Sequence, residues 1–281
     1  MEKIYLRYAE FYVTNVCNLS CDNCNRFNNL NFKGKYDFDR EQYRDWANRL
    51  DIHRLAILGG EPTYHPNLAS WIEGLSELWP KTFKMLITNG TRLDYKNLHS
   101  LLSKHRWELE INLHDKKDSD FSKKIIEDLK TYFGPITFIE EGCWSKPGLT
   151  YRSSLGVTIF LRNKWTFHKS AIKNYDTLET FSSDPIRSHS LCTMKTCHHF
   201  FNGKLYKCGV AKLLPDLLEQ KGKIVDKKIK DYKPLEITEL SEQSIKDLSN
   251  NWIDTCMACS DNPSDWVSEP FETLYKKDIK I

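Results

Sequence analysis

Three cysteines near the amino end have the spacing of an iron–sulfur ligand set. Cys17, Cys21 and Cys24 form a C-x3-C-x2-C pattern. Three thiolates on one loop can bind three corners of a [4Fe-4S] cube and leave the fourth iron without a protein ligand. Zinc is the alternative, but zinc sites usually pair C-x2-C elements and close with a fourth ligand nearby, whereas the next Cys or His is His53. The triplet therefore favours a cluster with one open iron that can bind a substrate or cofactor.

Two further loops offer groups that could hold a small ligand. Gly59-Gly60-Glu61-Pro62 directly follows an apolar run that predicts a strand, and Thr88-Asn89-Gly90-Thr91 ends the next one. Ligands bind at the carboxyl ends of strands in α/β folds, and glycine, which lacks Cβ, lets the chain approach a ligand closely. The first loop can thus approach an ammonium group, and the second adds hydroxyl and amide groups on the same rim. Gly-Gly and Asn-Gly also form plain turns, but polar loops after three successive strands favour one shared site.

The elements that must position these loops alternate between short apolar runs and longer amphipathic ones. At least three of the longer runs carry apolar residues at helical spacing, as in the helix that Pro66 opens and Pro80 ends. Repeated βα units predict an α/β fold with a parallel sheet covered by helices, either doubly wound or a partly closed barrel. We predict a loop over 142–156. The six predicted strands are 8–14, 55–58, 84–88, 107–112, 136–139 and 157–161.

The composition is that of an ordinary globular protein. The 281 residues are 40% hydrophobic, 28% charged and 12% aromatic, which excludes a disordered or low-complexity chain. A net charge of +3 does not indicate a nucleic-acid partner, and no apolar run approaches the roughly 20 residues of a membrane helix. An odd count of nine cysteines without an export signal argues against a disulfide framework. We expect a soluble, cytoplasmic protein.

The three motifs, in this order, resemble the radical S-adenosylmethionine (radical SAM) superfamily, and the resemblance spans roughly residues 5–165. It implies a partial (β/α)6 TIM-like barrel in which the cysteine triplet binds a [4Fe-4S] cluster, and the open iron chelates the amino and carboxylate groups of SAM. It also implies that Glu61 and the glycine backbone hold the methionyl ammonium, and that Asn112 contacts the ribose. The family usually has an aromatic residue where this chain has Asn23, so the adenine pocket is expected to differ, with Phe27 nearby. The expected cofactor-binding residues are Gly59, Gly60, Glu61, Pro62, Thr88, Asn89, Asn112 and Asn23.

The resemblance implies a radical reaction and two kinds of partner. An electron from the reduced cluster cleaves SAM to a 5′-deoxyadenosyl radical, which takes a hydrogen atom from the substrate. The expected partners are a small-molecule substrate and an electron donor such as flavodoxin or ferredoxin, with no membrane and no nucleic acid. Candidates for substrate handling are His114 and Asp115, predicted as catalytic, then Glu140, Glu141, Arg152 and Arg162. An ordinary surface or core-edge role is the alternative for each of them.

The cysteines return beyond residue 185, where the βα pattern ends. We therefore divide the chain into a radical SAM core at 1–185 and a smaller domain at 186–281. In the latter, 197–208 is predicted to be a hairpin that turns at Asn202-Gly203, and the arrangement resembles the twitch domain, the shortened relative of the SPASM domain. A structural zinc ion is the alternative, Cys197 could replace Cys192, and Cys143 is predicted to be a small buried hydrophobic residue. The resemblance implies an auxiliary [4Fe-4S] cluster bound by Cys192, Cys208, Cys256 and Cys259.

Four protein thiolates would leave no open iron on the auxiliary cluster, so an electron-relay role fits it better than substrate binding. The layout is similar to that of the twitch-containing dehydrogenases typified by 2-deoxy-scyllo-inosamine dehydrogenase. This similarity implies a two-electron oxidation of a hydroxylated small molecule of the sugar, cyclitol or nucleoside type. Peptide or nucleotide modification is the alternative within the superfamily. A non-catalytic zinc- or cluster-binding module that recognises a partner is the alternative outside it.

Overall fold

The fold is a mixed α/β arrangement built on one nine-stranded sheet. The computed structural model describes residues 2–30, 41–115, 119–143, 146–163, 166–169, 171–267, 269–270 and 273–275. The sheet strands are β1 (Ile4–Tyr12), β2 (Leu50–Leu58), β3 (Phe83–Thr88), β4 (Trp107–Leu113), β5 (Ile136–Cys143), β6 (Lys146–Ser153), β7 (Thr158–Asn163), β8 (His198–Phe201) and β9 (Lys204–Tyr206).

Six neighbouring strands of this sheet run parallel. The spatial order is β9-β8-β1-β2-β3-β4-β7-β6-β5, and every pair from β8 to β7 in that order is parallel. The outer pairs β8–β9, β7–β6 and β6–β5 are antiparallel. The predicted α/β class with a parallel sheet is therefore confirmed, in the form of a partial TIM-like arrangement.

One end of the sheet differs from the simple βα repetition predicted from the sequence. The predicted strand at 136–139 exists, but it belongs to the antiparallel edge strand β5. The prediction of a loop over 142–156 was wrong, because β6 occupies 146–153 and pairs with both β5 and β7. Pro147 and Gly148, which normally weaken a strand, obscured it in the sequence. Cys143 ends β5, and its side chain lies outside the described residues.

Helices cover one face of the parallel strands. The predicted helix after Pro66 is confirmed as α2, with Leu68, Trp71, Ile72 and Leu75 buried. Ser119 caps α4 by accepting a hydrogen bond from the Ser122 N–H at 3.1 Å. Among the described residues, no helix is both long enough and apolar enough to cross a membrane. The helices are α1 (Glu41–Arg49), α2 (Leu68–Leu78), α3 (Leu98–His105), α4 (Asp120–Phe133), α5 (Pro185–Leu191), α6 (Gly209–Gln220), α7 (Lys227–Lys230) and α8 (Glu242–Asn250).

Short elements complete the chain. The 3-10 turns are Asn28–Leu30, Pro62–Tyr64, Tyr95–Asn97, Ile237–Glu239, Asp254–Ala258 and Pro263–Trp266. Three two-stranded ribbons pair Ile172–Asn174 with Glu179–Thr180, Thr166–Phe167 with Glu269–Pro270, and Leu19–Cys21 with Thr273–Tyr275. The last of these ribbons brings a segment near the end of the sequence beside the cysteine triplet.

The main core lies between the helices and the sheet, and aromatic rings fill much of it. Phe11 on β1 is fully buried, and its ring centroid lies 4.9 Å from that of Phe200 on β8 and 5.2 Å from that of Tyr43 on α1. Trp46 packs edge-on against the same Phe200 ring at 5.1 Å. These contacts hold β8 against β1, so helices and strands from both ends of the sequence share one core.

The C-terminal hairpin forms as predicted. β8 and β9 pair with Phe201 opposite Lys204, and Asn202 and Gly203 have φ values of 44° and 73°, the left-handed conformation that a tight hairpin turn requires. Because β8 pairs with β1, the main sheet draws strands from both sides of the predicted boundary at 185/186. The division into two domains stays a prediction.

Candidate active site

A cavity of about 720 Å³ lies on the sheet face opposite the helices. Its wall contains all three cysteines of the triplet, Cys17, Cys21 and Cys24. It also contains most of the residues that the sequence assigns to a cofactor, namely Gly59, Gly60, Thr88, Asn89 and Asn112. The carboxyl ends of β1, β2, β3 and β4 thus bring the predicted motifs to one space, as expected for a parallel α/β sheet.

The loop that carries the cysteines is held by its own backbone. The Cys24 N–H donates to the Cys21 carbonyl at 3.3 Å, and the Phe27 N–H donates to the Cys24 carbonyl at 2.9 Å. The Leu19 N–H points at Cys17 Sγ at 3.5 Å, the kind of amide contact that stabilises a thiolate. Burial raises the pKa of the Cys17 thiol, so a bound metal must displace its proton.

The donor chemistry of this loop fits an iron–sulfur cluster. Three thiols from one loop line a cavity that holds further polar groups, and thiolate is the usual ligand of such clusters. Among the described residues, no three Cys, His, Asp or Glu side chains meet as closely as a single-ion site requires. The ligands of a [4Fe-4S] cube do not need to meet as closely, because each thiolate binds a different iron.

The two glycines after β2 pack directly on the cysteine loop. A Cβ on Gly59 would lie 2.5 Å from the Thr14 carbonyl oxygen, and a Cβ on Gly60 would lie 2.5 Å from that of Val16. The Gly60 N–H also donates to Thr14 at 2.7 Å, and the Glu61 N–H donates to Val16 at 2.8 Å. The steric need for glycine therefore comes from the cysteine loop, a reason that the sequence analysis did not identify.

Glu61 lies behind the cavity wall. Its side chain is fully buried and accepts hydrogen bonds from the Thr63 N–H and hydroxyl, the Thr88 hydroxyl and the Asn89 N–H, at 2.6–3.1 Å. Burial raises the pKa of this carboxyl, against the opposing effect of the four donors. Neither Glu61 nor Pro62 is among the residues that line the cavity. The carboxylate joins the loops after β2 and β3 and forms part of the frame of the site.

An amide pair joins the third loop to the cysteine loop. Asn89 Nδ2 donates to Asn18 Oδ1 at 2.9 Å, and Asn89 Oδ1 accepts from the Thr91 hydroxyl at 2.6 Å. Asn89 Nδ2 also lies 3.9 Å from Cys17 Sγ. The sequence analysis did not identify Asn18, although it lies within the cysteine motif. All three predicted loops are therefore bonded to one another.

Asn112 presents an unsatisfied polar atom to the cavity. Its side chain is 9% exposed, and its Oδ1 has no hydrogen-bond partner among the described residues. A buried amide oxygen without a partner is costly, so this position suits a polar ligand. By contrast, Asn23 and Phe27 are not in the cavity lining. Asn23 accepts a hydrogen bond from the Tyr175 hydroxyl at 3.3 Å, and Phe27 is fully buried in an apolar cluster with Tyr12.

The candidates for substrate handling separate into two groups. His114 and Arg162 line the cavity, and Arg162 Nη2 lies 3.0 Å from Glu110 Oε2 on the neighbouring strand. Asp115 follows His114 but is not in the lining. The remaining candidates are on the antiparallel edge and are exposed, away from the cavity: Glu140, Glu141 and Arg152.

Residues 11–129 match the family model described as the Radical SAM superfamily. This segment is a radical SAM domain. A radical SAM domain implies a [4Fe-4S] cluster and SAM, and the thiols and the open amide described above fit these two groups. No protein of curated function matches the sequence significantly.

Three solved structures illustrate what the chain is similar to. SuiB from Streptococcus suis, bound to S-adenosylmethionine, shares 19% identity at a TM-score of 0.35, over 46% of this chain and 31% of SuiB. Native anSMEcpe with AdoMet and the Cp18Cys peptide shares 19% identity at a TM-score of 0.35, over 46% of this chain and 40% of that one. BtrN in complex with AdoMet and 2-DOIA shares 17% identity at a TM-score of 0.46, over 92% of this chain and 86% of BtrN. The chain thus aligns with less than half the length of SuiB and anSMEcpe.

A buried charged group that was not predicted from the sequence joins β1 and β8 to the cysteine loop. Glu10, near the carboxyl end of β1, lies 2.8 Å from Arg26 Nη2 and 2.7 Å from His199 Nε2, and it accepts a hydrogen bond from the Tyr8 hydroxyl at 2.9 Å. Burial opposes ionisation of Glu10, but His199 and Arg26 outweigh burial and lower its pKa to about 2. The available signal was a carboxylate among the apolar residues at the end of β1, next to Ala9 and Phe11.

Four cysteines outside the radical SAM domain come together in a second place. Burial and the neighbouring Cys208 and Cys256 raise the pKa of Cys192 to about 11. Burial and the charges of Cys192, Cys208 and Cys256 raise the pKa of Cys259. Cys192 follows α5, Cys208 precedes α6, and the other two belong to the turn at 254–259. Cys197 lines the main cavity, and whether it replaces Cys192 as a ligand stays a prediction.

Proposed function

We propose that this chain is a radical SAM oxidoreductase that removes a hydrogen atom, a proton and an electron from a hydroxylated small molecule. The observation that supports it most is the division of seven cysteines into two sites of different character. Cys17, Cys21 and Cys24 line an open cavity, whereas the other four cysteines cluster beyond the radical SAM domain. An open three-thiol site and a separate four-thiol site suit two different tasks in one reaction.

The residues of the first site can hold the cofactor and shape its surroundings. When bound at Cys17, Cys21 and Cys24, a [4Fe-4S] cluster supplies the electron that cleaves SAM, and the resulting 5′-deoxyadenosyl radical takes a hydrogen atom from the substrate. The backbone at Gly59 and Gly60 forms the wall beside this loop. Asn112 offers its unpaired amide oxygen to a hydroxyl donor, for which we propose the ribose of SAM.

The opposite wall of the cavity suits a polar, hydroxylated substrate. Glu110 and Arg162 face the cavity with side chains only 6% and 5% exposed. The interior of a parallel barrel is more often filled by branched apolar residues, and a buried ion pair alone is a poor source of stability. Together the pair can accept a hydrogen bond from one hydroxyl and donate to another, as a sugar, cyclitol or nucleoside requires. His114 lines the same space and is the proposed acceptor of the substrate proton.

The four-cysteine site is the proposed acceptor of the electron that remains on the substrate radical. When bound at Cys192, Cys208, Cys256 and Cys259, an auxiliary [4Fe-4S] cluster supplies an electron acceptor for the substrate radical. Four thiols fit such a cluster because each of its irons takes one thiolate. With both groups bound, the substrate would lose a hydrogen atom to the deoxyadenosyl radical, a proton to His114 and an electron to the site formed by Cys192, Cys208, Cys256 and Cys259. The sum is a two-electron oxidation.

Anaerobic purification and assay test the proposal. We expect brown protein with about eight irons per chain if both sites hold [4Fe-4S] clusters, and release of 5′-deoxyadenosine from SAM with dithionite. A panel of amino cyclitols, sugars and nucleosides should then contain a compound that is oxidised in step with SAM cleavage. Colourless, zinc-containing protein that is inert toward SAM would instead identify a partner-recognition module. Brown protein with about four irons would leave the radical SAM role intact and contradict the auxiliary cluster.

A further inference from the structure

The buried charged group around Glu10 joins chain segments that are far apart in sequence. Arg26 belongs to the cysteine loop, Glu10 to β1 and His199 to β8, and Arg26 and His199 are 173 residues apart. Because a carboxylate only accepts hydrogen bonds, His199 donates from Nε2 to Glu10. Arg26 is held further by Tyr12, whose ring centroid lies 5.8 Å from its Cζ. The guanidinium therefore has one fixed place.

That place is directly beside the four-cysteine site. A Cβ added to Gly209 would approach Arg26 Nη1 more closely than real Cβ atoms approach any neighbour. Gly209 is the first residue of α6 and directly follows Cys208. At its other end, Arg26 is two residues from Cys24. Arg26 therefore links the Cys24 segment of the three-cysteine site to the Cys208 segment of the four-cysteine site.

We propose that Arg26 is a positioning residue that bridges the two cysteine sites. It fixes the separation of the Cys24 segment from the Cys208 segment, with Glu10 and His199 as its anchors, and it places a guanidinium charge, paired with the Glu10 carboxylate, between the two sites. The expected effect of this charge rests on the proposed function, because it requires a cluster at each site. A cation near a cluster favours the reduced form of that cluster. The mechanical part of the bridge depends only on contacts within the chain.

The first test measures the mechanical bridge by a double-mutant cycle on the purified chain. Gly209→Ala should lower the unfolding midpoint, because the added methyl group displaces Arg26 from Glu10. In an Arg26→Ala background the same change should be neutral or should raise the midpoint, because alanine favours a helix and the obstacle is gone. A strongly non-additive cycle supports the bridge. Equal losses in both backgrounds would overturn it.

The second test measures the charge through reduction potentials of the reconstituted holoenzyme. Arg26→Gln should shift the potentials of both clusters to more negative values, and Arg26→Lys should return them toward wild type. The SAM-binding cluster is recognised by the change in its EPR spectrum when SAM is added. Arg49→Gln is the control, since Arg49 donates to the Ile237 and Leu240 carbonyls at 2.8 and 2.7 Å and is not part of either cysteine site.

The outcomes separate this inference from the proposed function. A shift in only one potential, or no shift beyond that of Arg49→Gln, overturns the charge role of Arg26. Only about four irons per chain would show that the auxiliary cluster is wrong. In that event the double-mutant cycle still decides whether Arg26 bridges the two segments.

Discussion

At the scale of single residues, the cavity depends on close contacts between backbones. Gly60 passes beneath the cysteine loop so tightly that a Cβ would lie 2.5 Å from the Val16 carbonyl oxygen and 2.9 Å from Cys17 Cβ. The neighbouring Glu61 N–H bonds to Val16, so the two loops cannot separate without losing a hydrogen bond. A methyl group at this position must therefore move the first cysteine.

Gly60→Ala should lower the iron content of the three-cysteine site and the yield of 5′-deoxyadenosine. Gly222→Ala is the matched control, because Gly222 has a φ of 66° but nothing within 4 Å of an added Cβ. The control should lose about 1–2 kcal/mol of stability from backbone strain and keep its iron. Iron analysis and dithionite-driven SAM cleavage measure the difference. Full iron loading in Gly60→Ala would show that the loop adapts to the methyl group.

The second prediction concerns Glu10 and the pH dependence of stability. Its pKa in the folded chain, about 2, is lower than its ordinary value of 4.5. A lowered carboxyl pKa contributes stability above the ordinary value, and this contribution disappears as the pH falls toward the folded value. Between about pH 5 and 3, wild type should therefore lose more unfolding free energy than Glu10→Gln, with a difference on the order of 2 kcal/mol.

Urea unfolding followed by tryptophan fluorescence measures both proteins across this range. Glu236→Gln serves as the control, since Glu236 forms an exposed ion pair with Lys204 at 2.7 Å and should leave the slope unchanged. Parallel curves for wild type and Glu10→Gln would contradict the assignment of Glu10 as an ionised buried carboxylate.

At the scale of elements, β8 is the strand on which the two halves of the sequence meet. It has only four residues, yet all four are buried. Phe200 stacks on Phe11 at 4.9 Å and meets Tyr43 and Trp46 edge-on. The turn at Asn202-Gly203 and β9 then lead directly to Cys208. Packing of the Phe200 ring in the main core thus helps to position Cys208, one of the residues of the four-cysteine site.

Phe200→Ala should destabilise the fold by about 3–5 kcal/mol, because it leaves a cavity in a packed core. It should also reduce iron at the four-cysteine site more than at the three-cysteine site. Phe83→Ala is the control, as the Phe83 side chain is 52% exposed. Chemical unfolding and iron analysis test both statements. Equal iron loss at the two sites would contradict the specific role of β8.

The elements also show which parts of the fold the sequence can predict. The spacing of apolar residues was sufficient to predict α2 and five of the parallel strands. In these elements the period of the apolar residues in the sequence agrees with the burial of their side chains. It failed for β6, where Pro147 and Gly148 obscure a strand that pairs with both β5 and β7, and it did not reveal that β8 joins the parallel sheet beside β1. Pairing between segments almost 200 residues apart leaves no local pattern. The same reason hid the contact of Glu10 with His199, whereas the cysteine triplet lies within one loop.

At the scale of the whole molecule, the chain separates two thiol sites but ties them to one sheet. The three-cysteine loop follows β1, and Cys208 of the four-cysteine site follows the hairpin of β8, which is the direct neighbour of β1. Adjacent strands are about 5 Å apart, so the sheet itself keeps the two sites near each other. This arrangement suits an electron that leaves the cavity at one site and arrives at the other.

The double variant Cys256→Ala with Cys259→Ala tests whether the second site is needed after SAM cleavage. We expect it to release 5′-deoxyadenosine from SAM at a rate within a few-fold of wild type, because both cysteines lie outside the cavity wall. Oxidised product should be lost, because the substrate radical then has no electron acceptor. Cys197→Ala is the comparison variant, since Cys197 lines the cavity whereas Cys256 and Cys259 do not. Full turnover in the double variant would refute the electron-relay role, and loss of SAM cleavage together with product would show that the four-thiol site supports the fold instead.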